Sequence, residues 1–304
     1  MADTPSKTSF LTPKYWPTWL SIGLMRVGAW LPWSLKLWVG KLIGLLAWRF
    51  AKRRRHITET NLRLAFPELD ETSHAQLVRE TFIANGIGIL ETATGWCRDP
   101  EHLRHRVTFQ GERHMQQALA QGKGALIIGI HFSTLDMGGA LHSLFFPADV
   151  VYRPHDNALF ERFMTRARSR IFDQTIDRHD LRGVVRRIKA GHAVWYSPDQ
   201  DFGRQASVFA PFFGVEAATV KLTGKIARMT GAPVMPLIFH RNPNNRSYTL
   251  EYLPALENFP SGNEVEDATR INAVIEAAIR RHPEQYLWLH RRFKTRPPGE
   301  PGVY

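Results

Sequence analysis

Cysteine is almost absent, with Cys97 the single example in 304 residues. That excludes a disulfide framework and fits a reducing compartment, and a lone thiol of this kind reads as a core residue. Acids are in deficit as well, 28 against 40 Lys and Arg for a formal charge of +12, so partners with a negative surface are expected. A long uncharged apolar run is also missing. A spanning helix wants about 18 to 20 largely uncharged residues, and Arg26, Pro32, Lys36 and Lys41 interrupt the stretch 16–48. There is no G-x-S-x-G elbow, C-x-x-C, H-E-x-x-H or Walker loop. The usual signs of serine-nucleophile, redox, zinc and nucleotide chemistry are therefore lacking. No internal repeat or low-complexity segment is visible, and no secretory signal follows the polar start at residues 1–13.

What is present is concentrated. Apolar residues make up 43% of the chain, enough to fill a real core. Six of the nine tryptophans, Trp16, Trp19, Trp30, Trp33, Trp38 and Trp48, fall early and alternate with Arg26, Lys36, Lys41 and Arg49. Indole rings settle at the headgroup level of a membrane and basic heads snorkel toward phosphate, so residues 1–55 read as a membrane-associating segment. It either lies in the interface or tilts through the bilayer; a buried helical pair is the plainer reading. The basic run Lys52, Arg53, Arg54, Arg55 that follows favours a cytoplasmic, anionic leaflet.

Residues 56–304 parse as one domain. Helix-period apolar residues at 57–66 and 73–96 form a helical lead-in. From Val107 short apolar runs at 125–130, 149–152, 193–197, 234–239 and 248–253 alternate with helical patterns at 134–146, 158–172, 181–190, 217–230 and 267–281. That alternation predicts an α/β fold, a single mixed-sheet domain with flanking helices and the N-terminal helical segment as an appendage.

Chemistry in open α/β sheets collects at the carboxyl ends of strands. His131 closes the 125–130 run, and Asp136 follows five residues later, near the first turn of a helix. As a pair they suit a general base and its orienting acid. The spacing alone also fits an exposed turn histidine. Asp199 and Asp201 stand just past another strand, where two aspartates one residue apart hold a divalent metal in some glycosyltransferases or simply make Asx turns. Arg153 ends the 149–152 strand and suits a phosphate or an oxyanion, or a plain solvated surface. Arg162, Arg166, Arg168, Arg170, Arg182, Arg186, Arg187 and Lys189 load two helices with charge for an acidic carrier protein, for lipid phosphates, or for water. The tail 288–297 is too aromatic for a nuclear signal and too short for a nucleic-acid arm.

The ordered blocks Tyr15-Trp16-Pro17-Thr18-Trp19-Leu20, His131 to Asp136, Val151-Tyr152-Arg153-Pro154 with Asp156-Asn157, 195–203, 208–214 and 283–297 resemble the lauroyl acyltransferases of lipid A biosynthesis, within the glycerolipid acyltransferase superfamily. The resemblance covers about residue 10 to the end. It implies an acyl carrier protein thioester as donor, a Kdo-bearing lipid A precursor as acceptor, and a site at the cytoplasmic face of a bacterial inner membrane. It also implies His131 and Asp136 as the catalytic pair, Arg153, Asp199 and Asp201 as substrate-binding or site-shaping residues, and neither metal nor other cofactor. Asp136 departs from the lauroyl branch, which often carries Glu there. A glycerol-phosphate acyltransferase, a metal-dependent glycosyltransferase using Asp199 and Asp201, and a non-catalytic basic membrane or nucleic-acid binder are the competing readings.

Overall fold

A strand apolar on both faces must lie inside a sheet covered on both sides, and the 125–130 run does so. In the computed structural model, which describes residues 10–304, it forms β2 (Ala125–Ile128) with every side chain buried. The other strands are β1 (Val107–Gln110), β3 (Asp149–Tyr152), β4 (Thr175–Asp177), β5 (Ala193–Tyr196), β6 (Ser207–Phe212), β7 (Val215–Val220), β8 (Val234–Arg241) and β9 (Tyr248–Tyr252). Seven of them make one sheet in the order β1-β9-β8-β2-β5-β3-β4. Neighbours run parallel except β8 and β9, so the sheet is mixed, with β2 in the middle.

Helices cover both faces. On one, Met115 of α5 (Glu112–Ala120) and Met137 and Leu141 of α6 (Leu135–His142) pack on Ile127, Trp195 and Leu250. On the other, α8 (Leu181–Lys189), α9 (Leu222–Thr230) and α10 (Glu264–Arg281) bring Val184, Ile188, Ile226 and Ile275 against Leu126, Ile128 and Val194. Each such side chain withdrawn from water contributes about 1.5–3 kcal/mol. The helix α7 (Ala158–Arg168) follows β3, capped by Asn157, whose side chain accepts from the amides of Leu159 and Phe160.

The lead-in helices are α3 (Lys52–Ala65) and α4 (Glu71–Cys97). At 27 residues, α4 is about 40 Å long, and it carries the N-terminal helices α1 (Trp16–Trp30) and α2 (Trp33–Phe50) on its back. Glycine makes that contact: a Cβ on Gly40, Gly44 or Gly86 would run into the backbone of the facing helix. The opposite faces are largely open. Trp16, Leu20, Leu24, Val27 and Trp30 form an exposed stripe along α1, and Leu35, Trp38, Leu42, Leu46 and Phe50 another along α2, with Trp30 68% and Phe50 71% accessible. Among the described residues no helix is long and apolar enough to cross a membrane.

One expected helix is partly a strand. Residues 217–230 read as helical, yet Ala217, Ala218, Thr219 and Val220 belong to β7, paired antiparallel with β6, and the helix starts at Leu222. Alanine's helical advantage amounts to only a few tenths of a kcal/mol per residue. A six-residue hairpin ladder buried under Asn272 and Arg292, whose side chains bond Pro211 O, Thr219 and Ala218 O, outweighs it.

Candidate active site

The parallel register of the central strands decides what surrounds His131. β2 pairs with β5 so that Ile128 faces Tyr196, and the amide of Gly129 still donates to Tyr196 O at 2.9 Å. His131 and Asp199 each lie three residues beyond that last matched pair, and they meet. The His131 amide donates to Asp199 Oδ2 at 2.8 Å, and His131 Nδ1 lies 2.5 Å from Asp199 Oδ1. The Asp199 side chain has no accessible surface, whereas the imidazole keeps 22% of its own. A buried carboxylate faces a partly open ring.

The C-terminal loop holds this turn in place. His131 O accepts from the Leu287 amide at 2.9 Å, the Ser133 amide donates to Gln285 O at 2.7 Å, and Tyr286 Oη donates to Asp199 O at 3.1 Å. Gly88 of α4 lies so close to Ser133 that a Cβ would strike its carbonyl. Burial alone would push the His131 pKa down. The charge and hydrogen bond of Asp199, with a further contribution from the charge of Asp136, overcome this and hold it above the ordinary imidazole value. Burial would likewise push Asp199 up, but the neighbouring imidazolium and the donated hydrogen bonds bring it below the usual carboxylate range. His290, on the same loop, is driven the other way, to about 4, first by burial and then by the charge of His131.

Asp136 does not hold the imidazole as the spacing suggested: among the described residues it has no hydrogen bond to the ring. It sits in the first turn of α6, where a helix end favours negative charge. From there its Oδ1 accepts from Trp96 Nε1 at 3.1 Å and from the Arg168 guanidinium at 3.2 Å. That guanidinium lies between the rings of Trp96 and Tyr152, 5.5 and 5.7 Å from their centroids. Asp136 is 26% and Arg168 17% accessible, so the pair, like the imidazole, is partly open to solvent.

The other expected site residues separate. Arg153 reaches the carboxyl edge of the sheet but is exposed and pairs with Asp156 at 3.2 Å. The arginine that meets an acid beside His131 is Arg168. A clue existed in the sequence: Phe160, Met164 and Arg168 recur every four residues, so the arginine continues a stripe that is otherwise apolar. Asp201 is buried and closes a turn, accepting from the Gly203 amide at 2.8 Å and from the Thr295 amide and hydroxyl at 2.7 and 2.9 Å. The two aspartates therefore serve different partners. Among the described residues the one group of His, Asp, Glu or Cys close enough to share an ion is Asp149, Asp173 and His192, which includes neither. Arg187 already engages Asp149 in a bidentate pair at 2.6 and 2.9 Å.

A mixed sheet with a partly open histidine at the end of its central strand, backed by a buried carboxylate and neighboured by an acid–arginine pair, is an arrangement that can supply a general base. The comparisons narrow the field. The family profile of bacterial lipid A biosynthesis acyltransferases matches residues 4–295, and the chain belongs to that family. It is 40% identical over 306 residues, the full length of both chains, to the lipid A biosynthesis lauroyltransferase of Escherichia coli K12. It is 39% identical over 97% of its length to the palmitoleoyltransferase of the same organism, covering 96% of that chain, and 26% identical over 96% to its myristoyltransferase, covering 91%. The protein is an acyltransferase of lipid A biosynthesis.

Proposed function

We propose that the chain moves a fatty acyl group, lauroyl-like in size, from an acyl carrier protein thioester to a hydroxyl of a Kdo-bearing lipid A precursor, with His131 as general base. The observation that carries this reading is the strand-end imidazole, accessible on one side and raised in proton affinity by two acids. His131 takes the proton of a hydroxyl on an acyl chain of the acceptor, and the oxygen attacks the thioester carbonyl. The carbonyl re-forms as the carbon–sulfur bond breaks, and the proton passes from the imidazolium to the departing thiolate. Asp136 stabilises that imidazolium through its charge. Arg168, paired with the acid whose charge reaches His131, is better placed than Arg153 to meet charge on the acceptor phosphates or the developing oxyanion. Arg162, Arg166, Arg182, Arg186 and Lys189, exposed on α7 and α8, suit an acidic carrier.

We further infer that the enzyme rests on the cytoplasmic face of a bacterial inner membrane through α1 and α2. The support is the pair of uncovered apolar stripes. Each large apolar side chain is worth about 1.5–3 kcal/mol when fully buried, against about 1 kcal/mol for each Lys or Arg near an anionic surface. Insertion therefore outweighs charge in this attachment.

The test is transfer from purified acyl carrier protein thioesters of several chain lengths, offered against a Kdo-bearing lipid A precursor and against glycerol phosphate, with products weighed by mass spectrometry. Lipid A acylation lost in His131→Ala supports the reading; acylation of glycerol phosphate alone, or full activity in His131→Ala, overturns it.

A further inference from the structure

His131 has two carboxylates within reach of its charge, and the geometry divides the labour between them. We propose that Asp199 is the positioning residue that fixes the tautomer and orientation of His131, and that Asp136, bonded to Arg168 and Trp96, acts on the ring only from a distance. This rests on the reading of His131 as the base.

The argument begins with what a carboxylate can do, which is accept. With Asp199 Oδ1 2.5 Å from the ring, the facing ring atom must be a nitrogen carrying a proton, because a carbon would clash at that distance and a bare nitrogen would repel. Nδ1 therefore holds the proton, and Nε2 is left with the lone pair that abstracts one. The second oxygen of the same carboxylate accepts from the His131 amide at 2.8 Å. Ring and backbone are thus tied to one group, and the ring cannot flip without breaking its bond to that carboxylate. Asp199 itself is held through its carbonyl by Tyr286 Oη.

Charge points the same way. An ionised carboxylate without accessible surface is costly unless it is paired and hydrogen-bonded, and no Lys or Arg forms an ion pair with Asp199 among the described residues. Its hydrogen-bonded partner is His131, with the charge of Arg292 acting from farther off, so its charge is best compensated when the imidazole takes up a proton, as it does during turnover. Asp136 differs on each count. It is partly solvated, it already pairs with Arg168, and its hydrogen bonds go to Trp96 and Arg168. Asp199, Asp136 and His290 are the titratable groups whose charge bears on His131, while Tyr196, Tyr286 and Arg292 bear on Asp199.

Full-length enzyme in detergent micelles decides this by two measurements. In the pH profile of kcat/KM, a base must be deprotonated, so the acid limb follows the imidazole pKa. Asp199→Asn keeps an acceptor for the His131 amide, but its amide group faces Nδ1. It should lower kcat by about two to four orders of magnitude, leave KM for both substrates within about threefold, and move the acid limb to lower pH. Asp199→Glu should recover part of kcat, and Asp136→Asn should move the acid limb less. The second measurement needs no variant: nitrogen NMR of histidine-labelled wild-type enzyme should show His131 as the Nδ1–H tautomer above its pKa. An Nε2–H tautomer, or an unmoved acid limb in folded Asp199→Asn, would overturn the assignment even if Asp199→Asn is inactive. Activity retained in His131→Ala would instead remove the general-base reading beneath it.

Discussion

The strand-end turn and the N-terminal helix pair break the ordinary rules of a folded chain in opposite directions. Around His131 the molecule buries charge: Asp199 lies without accessible surface, compensated by an imidazole and an amide. Along α1 and α2 it exposes apolar surface, ten large side chains in two stripes that no other element of the fold buries. Buried charge costs free energy that a rigid, fully bonded site offsets, whereas exposed apolar surface costs free energy that only an apolar partner relieves. The first region is accordingly clamped from three sides, by β5, α4 and the 285–287 loop. The second is fastened from beneath, through glycines against α4 and through Ile22, Trp33 and Lys36. On the proposed reading the difference divides the function: chemistry belongs to the clamped turn, attachment to the helices that leave an apolar face unfinished.

The comparison breaks first at the base. His131→Ala should lower turnover by about three orders of magnitude or more with little change in thermal stability; a melt shifted strongly downward with activity preserved would recast this turn as scaffold. Asp136→Asn should cost about two orders. Added to His131→Ala it should cost little more, since groups acting on one proton transfer are not additive. Multiplying losses in the double variant would separate Asp136 from the unit.

The apolar side is sharpened by Leu24→Glu combined with Leu46→Glu. At about 2 kcal/mol for each leucine removed from lipid, the membrane-bound fraction in vesicle flotation should fall by at least about tenfold, with transfer to a detergent-dispersed acceptor maintained. High salt alone should release little, and full release by salt would favour the charges over insertion. Smaller again, Arg153→Ala should change turnover by no more than about threefold, because an exposed pair such as Arg153–Asp156 contributes little, while Arg168→Ala should cost at least about tenfold. Equal losses in the two would return Arg153 to the site.

The smallest effect is on stability. His142 is fully buried beside Tyr252, and burial drives its pKa to about 3. Its folded value lies below its unfolded value of about 6.5, so stability is complete above pH 6.5 and declines as pH falls toward 3. His142→Gln should flatten that part of a melting-temperature profile by one proton's worth, and an unchanged slope would show that other groups dominate acid unfolding.

Much of this could be read before any coordinates. The 125–130 run, being apolar throughout and short, had to be a doubly covered strand, which put His131 at a carboxyl edge. The alternation of the helical pattern with such runs predicted the mixed sheet, and the tryptophans interleaved with Lys and Arg marked α1 and α2 as the unusual surface. The parts that were not legible share a feature. Asp136 lies five residues from His131, near enough to suggest a pair, but the first turn of α6 directs it to Trp96 and Arg168. Arg153 ends a strand as a functional arginine would, yet points to Asp156. Ala217 and Ala218 prefer a helix and are held in a hairpin.

By itself the sequence determined the local and periodic properties of this protein: which runs bury, which helices are two-faced, where a titratable side chain follows a strand, and that the chain carries an excess of positive charge. These follow from side-chain chemistry and from periods of two and 3.6 residues, which each segment carries internally. Only the tertiary structure decided which acid hydrogen-bonds His131. The two residues are 68 positions apart, and nothing in either segment specifies the distance between them. Their meeting depends on β2 and β5 lying side by side in parallel with Ile128 opposite Tyr196. That register is set by the packing of the whole sheet, because a slip of one residue would turn every buried side chain of a strand to the other face.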